Sequence, residues 1–277
     1  MKQIFKNELR RAFTGIPFFI AIAIGTVIAF WQVIQYVIPL TEFVNDVHTY
    51  AGKPGLFPLS VFNKWIGAER TGLPSYLFFL VIPLLASLPY GDSYFQDRKT
   101  GYIRHILIRQ NKVQYYVAKF IAVFLSGAVV VVIPLIINLG MSALILPSVL
   151  PEVSTHTHAI YAHSMWSSLY YAHPYVYIGL YLLLIFIFSG LWASISLSVS
   201  FFSGNRYVVL LFPFVFYVFI HAITNLLNID RMSPSVFLRP SQPEAYISFP
   251  IILGEAVLLL LMTGGFFVAK GKADDTF

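Results

Sequence analysis

Residues 91–112, GDSYFQDRKTGYIRHILIRQNK, carry two acids and five Lys or Arg between apolar runs that are almost free of charge. An Arg, Lys or Asp at the centre of a bilayer costs about 3 kcal/mol by insertion scales, so this window must face water. Asp92 stands where it can cap a helix start, and Gly101 where a left-handed residue can end that helix. Ile103, Ile106 and Leu107 then fall on one side of a following turn. The pattern predicts a compact helical hairpin tip, and its chemistry is that of docking a partner.

Other residues offer bond-making or ligand chemistry. Glu255 lies seven residues into an apolar run and His221 lies in another; ionisable groups in such runs are functional candidates, here for lining a substrate path or pairing with each other. In GLWASISLSVS, Ser194 and Ser198, and Ser196 and Ser200, stand four apart, the spacing of close helix packing. Neither a G-x-S-x-G elbow nor an H-E-x-x-H pair accompanies them, which weighs against an intramembrane enzyme. His156 and His158 have a spacing that can chelate Zn²⁺ or Cu²⁺, but no Cys and a single acid, Glu152, stand nearby, which favours a wet loop over a metal site. An ion channel or ion-coupled carrier would show internal repeats or several acids within its spans, and only Glu255 qualifies.

The elements that position these residues are apolar helices. The 277-residue chain is 58% hydrophobic and 11% charged, with a mean hydropathy of +0.75, against about 25% charged for a soluble domain. About 20 apolar residues cross the hydrocarbon, which places spans at about 16–40, 73–90, 116–146, 175–202, 207–227 and 248–269 in an all-α bundle of one transmembrane domain. Pro83, Pro134 and Pro213 lie inside spans, where they bend helices. Before the first span, Phe5, Leu9 and Phe13 oppose Lys6, Arg10 and Arg11, which suits either a helix lying on the membrane surface or a plain positive flank to the first span. With the N-terminus inside, 13 Lys or Arg fall on the inner side and five on the outer, which predicts two cytoplasmic termini and a cytoplasmic 91–112 loop. The net charge of +6 thus reports topology in a lipid bilayer and gives no reason to invoke nucleic acid.

Asp97, Gly101, Arg104, Arg109 and Lys119, with Tyr102 after the glycine, make a pattern of acid, glycine, and a hydrophobic and basic run ending in lysine. It resembles the first cytoplasmic loop of type-2 ATP-binding-cassette export permeases, and six spans, inner termini and a basic surface helix are similar to that family too. The family's usual acid is Glu and its glycine is followed by Thr, whereas this chain has Asp97 and Gly101–Tyr102. The resemblance implies that 91–112 holds a coupling helix seated in a groove of an ATPase subunit, with Asp92, Asp97, Gly101, Tyr102, Ile103, Arg104, Ile106 and Leu107 at the contact. No G-x-x-x-x-G-K-[ST] string occurs in the sequence, so ATP and Mg²⁺ belong on a separate cytoplasmic ATPase and this chain is not an enzyme by itself. The resemblance further implies a second permease chain, identical or sister, in the cell membrane. It also implies outward movement of cargo, and an aromatic, uncharged lining suits a hydrophobic or amphipathic one.

Overall fold

The computed structural model describes residues 2–41, 60–108, 111–152 and 160–273, and its elements are helices. Helix α1 (Lys2–Thr14) is followed by α2 (Ile16–Gln32), which runs on as a π turn at Val33–Val37 and a 3₁₀ turn to Leu40. After the short α3 (Val61–Lys64) come α4 (Leu73–Ser87), α5 (Ser93–Lys99) and α6 (Tyr102–Leu107). The long α7 (Lys112–Ile145) and α9 (Pro174–Val199) flank the short α8 (Ser167–Ala172). The chain ends with α10 (Arg206–Leu226), α11 (Pro234–Phe237) and α12 (Phe249–Leu260), the last prolonged through a π turn at Leu261–Gly265 into α13 (Phe266–Ala273).

Five of these helical stretches are long and apolar enough to cross a membrane: Ile16–Leu40, Lys112–Ile145, Pro174–Val199, Arg206–Leu226 and Phe249–Ala273. The chain is therefore a multi-pass membrane protein by helix length and composition. The expected span at 73–90 is instead a helix of 15 residues, about 22 Å long against the roughly 30 Å of hydrocarbon. It ends early because the chain turns at Leu88–Asp92 to enter the charged window.

Helix α9 is the axis of the bundle. Two-thirds of its most apolar stretch (67%) is buried, against 22% for α10 and for Phe249–Ala273. It packs against α7, α4 and α10, while α2 packs on α7 and α4. Small residues let these backbones approach: a Cβ on Gly127 of α7 would sit 2.5 Å from Ala193 Cβ and 2.7 Å from the Ala86 carbonyl oxygen, the close contact by which membrane helices associate. The serines in and just after α9 bond mostly back along their own helix, and Ser198 reaches across to the last span. Ser194 donates to the Gly190 carbonyl at 2.8 Å, Ser200 to Ser196 at 2.7 Å, and Ser198 across to Thr263 at 3.2 Å.

Polar cross-links fix helix register. Asn138 on α7 donates to Gln32 Oε1 at 2.8 Å and accepts from the Ile66 amide at 2.8 Å, tying the segment after α3 to α2 and α7. Tyr217 on α10 donates to the Phe79 carbonyl at 3.0 Å and Ser87 to Leu210 at 2.9 Å, so α10 holds α4 at its middle and at its last residue. Such bonds in an apolar surround are costly to leave unmade.

Candidate functional site at the charged end of the bundle

Helix α1 buries Ile4, Glu8 and Ala12, one face at a spacing of four. Glu8 is the only acid on that face, and at 1% exposure it must find cations. It finds Lys119, about two turns into α7 and fully enclosed, with Nζ 2.5 Å from Glu8 Oε2. The same ammonium lies 2.5 Å from Asp97 Oδ2 and 3.2 Å from the Tyr90 hydroxyl, so its three N–H donors all have acceptors. Tyr90 in turn donates to Glu8 at 2.8 Å, and Tyr115 to Asp97 at 2.8 Å.

Arg11 closes the cluster from the outside. Its guanidinium bonds Asp97 Oδ1 at 2.7 Å and Glu8 Oε1 at 3.2 Å and lies 4.7 Å from the centre of the Tyr102 ring, a cation–π contact. Two carboxylates therefore face two cations with no net charge. Burial alone would push Asp97 up, but Lys119 and Arg11 outweigh it and hold its carboxyl below the usual range. Removing one member of such a cluster strands the others, which is why a buried ion pair costs about 3–5 kcal/mol to break from one side. The cluster joins α1, the end of α4, α5 and α7 at one point.

This geometry corrects two expectations. Asp97 is 2% exposed and turned inward, so the acid assigned to a partner contact is spent inside the chain, because two cations compete for it. Asp92 stands at the α5 N-cap position but caps no backbone N–H; its carboxylate instead takes Arg206 at the start of α10 and Gln96. The hairpin itself forms as expected: Gly101 has φ 74° and separates α5 from α6. Ile103 is fully buried beneath it, Ile106 is half-buried, and Tyr102, Arg104 and Ile108 face outward, Ile108 at 83% exposure. The side chain of Leu107 lies outside the described set.

The remaining candidates do not converge. His221 Nδ1 sits 3.0 Å from Ser233 Oγ and 2.8 Å from Ser235 Oγ, so it is held by the segment leading into α11 and is not paired with Glu255. Glu255 lines a cavity of about 240 Å³ with Trp192, Phe216 and Leu258. Among the described residues its carboxylate makes no hydrogen bond or ion pair. His156 and His158 fall outside the described residues, and among those described no group of three His, Cys, Asp or Glu could hold a metal.

The sequence alone does not single out Glu8, Tyr90 and Tyr115; it offers Arg11 as part of the basic face of the first helix and Lys119 as the end of the loop pattern, neither as a partner of Asp97. A lone acid in a basic helix, one helical repeat from Ile4 and Ala12, was the available signal. No protein-family model, curated protein or solved structure matches the chain.

Proposed function

We propose that this chain is the membrane-spanning permease subunit of an ATP-binding-cassette transporter, with α5 and α6 forming the coupling element that a separate cytoplasmic ATPase engages. One observation carries the reading: the hairpin turned by Gly101 is anchored from beneath by the Asp97–Lys119 ion pair to the base of a 34-residue helix. A push on α6 then moves α7 as a rigid body, and through Tyr90 and Glu8 it also moves α4 and α1. In this reading α4 counts as the sixth, shortened span and both termini face the cytoplasm. A second copy or sister chain completes the pathway, and the cargo is hydrophobic or amphipathic and moves outward. The contact surface is the outward face of the hairpin, Tyr102, Arg104 and Ile108, rather than its acids.

A photo-crosslinking residue placed at Ile108 in cells of the native host tests this. A P-loop ATPase recovered from Ile108, and not from the equally exposed Leu144 (88%) far along α7, is the expected result, and Arg104→Glu should abolish it. Recovery of no ATPase, or equal recovery from both positions, would overturn the assignment.

A further inference from the structure

The charged end of the bundle holds a second feature, separate from the ion cluster. A cavity of about 520 Å³ opens between α5 and the turn from α9 to α10, walled by Phe95, Arg98 and Lys99 on one side and by residues 200–204 on the other. Arg98 reaches across it, Nη1 donating to the Phe201 carbonyl at 3.4 Å. Neither Arg98 nor Lys99 is ion-paired with any described residue. The acids of the adjoining elements are already taken, Asp92 by Arg206 and Asp97 by Lys119 and Arg11. The cavity mouth is therefore positive, without an internal counter-ion.

Its inner wall leads directly into hydrocarbon-facing surface. Phe202, 75% exposed, also borders a groove of about 290 Å³ whose lining is almost wholly apolar, including Val199, Phe212, Phe216 and Leu259. That groove shares Phe216, Leu259 and Met262 with the cavity beside Glu255. From Phe202 to Ile195 it follows α9 for about 10 Å along the helix axis. A cationic pocket at the rim of the spans, continuous with an apolar slot between α9, α10 and α12, has the two-part chemistry of a phospholipid with an anionic headgroup.

We propose that Arg98 and Lys99 bind the phosphate of an anionic phospholipid whose acyl chain lies past Phe202 in the groove between α9, α10 and α12. The site requires only that the chain be a membrane protein, and it stands or falls apart from the ATPase reading. A free phosphate would use the same two cations but would gain nothing from the groove.

Native mass spectrometry of the purified full chain, with phosphatidylglycerol and phosphatidylcholine of matched chains added in equal amounts, reads the site. Juxtamembrane Lys or Arg contribute about fivefold each, so Arg98→Gln with Lys99→Gln should lower phosphatidylglycerol retention about thirtyfold. Lys270→Gln with Lys272→Gln, exposed cations of the same end on α13, should leave it unchanged. Phe202→Glu, at a position too exposed to disturb the core, should also expel phosphatidylglycerol, and glycerol 3-phosphate should not compete. Equal loss from the α13 variant would reduce the effect to general surface charge, and competition by glycerol 3-phosphate would make this a soluble-anion site. Lipid retention unchanged in the Arg98/Lys99 variant, with loss of the ATPase instead, would make it a protein contact. Each of these three results overturns the proposal, and the last leaves the coupling assignment standing.

Discussion

Replacing Asp97 by Asn and Lys119 by Met, singly and together, probes the ion cluster most directly. Asp97→Asn leaves Lys119, at 0% exposure, with Glu8 as its one remaining anion. Lys119→Met leaves two buried carboxylates sharing Arg11. Stranding a buried charge in this way costs about 3–5 kcal/mol, or a factor of more than 100 in the folded population. The double variant removes one charge of each sign, keeps similar volumes and leaves Glu8 beside Arg11. It should therefore be more stable than the sum of the singles predicts, with a coupling of about 0.5–3 kcal/mol. Unfolding in mixed micelles by a denaturing detergent, followed through the four tryptophans, gives the three free-energy differences. Single variants that each cost less than about 1 kcal/mol, and that add to within about 0.5 kcal/mol, would refute the idea that this cluster clamps α5 to α7. Because Asp97→Lys would gather three cations in one buried site, any defect in that variant would report misfolding, so the proposed docking is better tested at Arg104 and Ile108.

Gly101→Ala should cost about 1 kcal/mol in the same unfolding measurement, from the left-handed backbone alone, since a Cβ there meets nothing within 4 Å; a loss several times larger would point to a contact on the hairpin tip. The low carboxyl of Asp97 sets a pH window: its contribution is fully present above the ordinary carboxylate value of about 3.9 and disappears as pH falls through the lower folded value. The stability gap between the wild type and Asp97→Asn, measured by thermal unfolding in a nonionic detergent, should thus be constant from pH 5 to 8 and shrink below about pH 4. A gap that varies between pH 5 and 8 would mean another group carries the titration.

The apolar runs announced themselves because 20 consecutive residues that reject charge have few alternatives to a membrane-crossing helix. The positive φ of Gly101 was readable for a similar reason, since few residues other than glycine end a helix in that conformation. The length of α4 was not readable, because Leu88 to Tyr90 are apolar enough to prolong the run while the backbone has already turned. The direction of Asp97 was hidden more deeply. Its neighbours in sequence are charged and polar, which reads as a wet surface, and its partners come from Arg11, 86 residues earlier, and Lys119, 22 residues later. Spacing within one segment carries no information about an ion pair closed by two other helices. His221 shows the same limit: its hydroxyl partners lie 12 and 14 residues on, across the end of a span.

The shortness of α4 bears on how the chain is made. Its 15 residues are wrapped by α2, α7, α9 and α10, and three of those four are synthesised after it. As it leaves the ribosome it has only α2 to lie against, and a helix about 22 Å long holds poorly in a bilayer by itself. Its lasting place must be taken when α9 and α10 arrive and the bonds from Tyr217 and Ser87 close over its middle and its last residue. The hairpin that follows it gains its ion cluster once Lys119 is made, but the tie from Asp92 to Arg206 waits for α10, so a chain cut short before residue 206 holds α4 and the start of α5 less firmly.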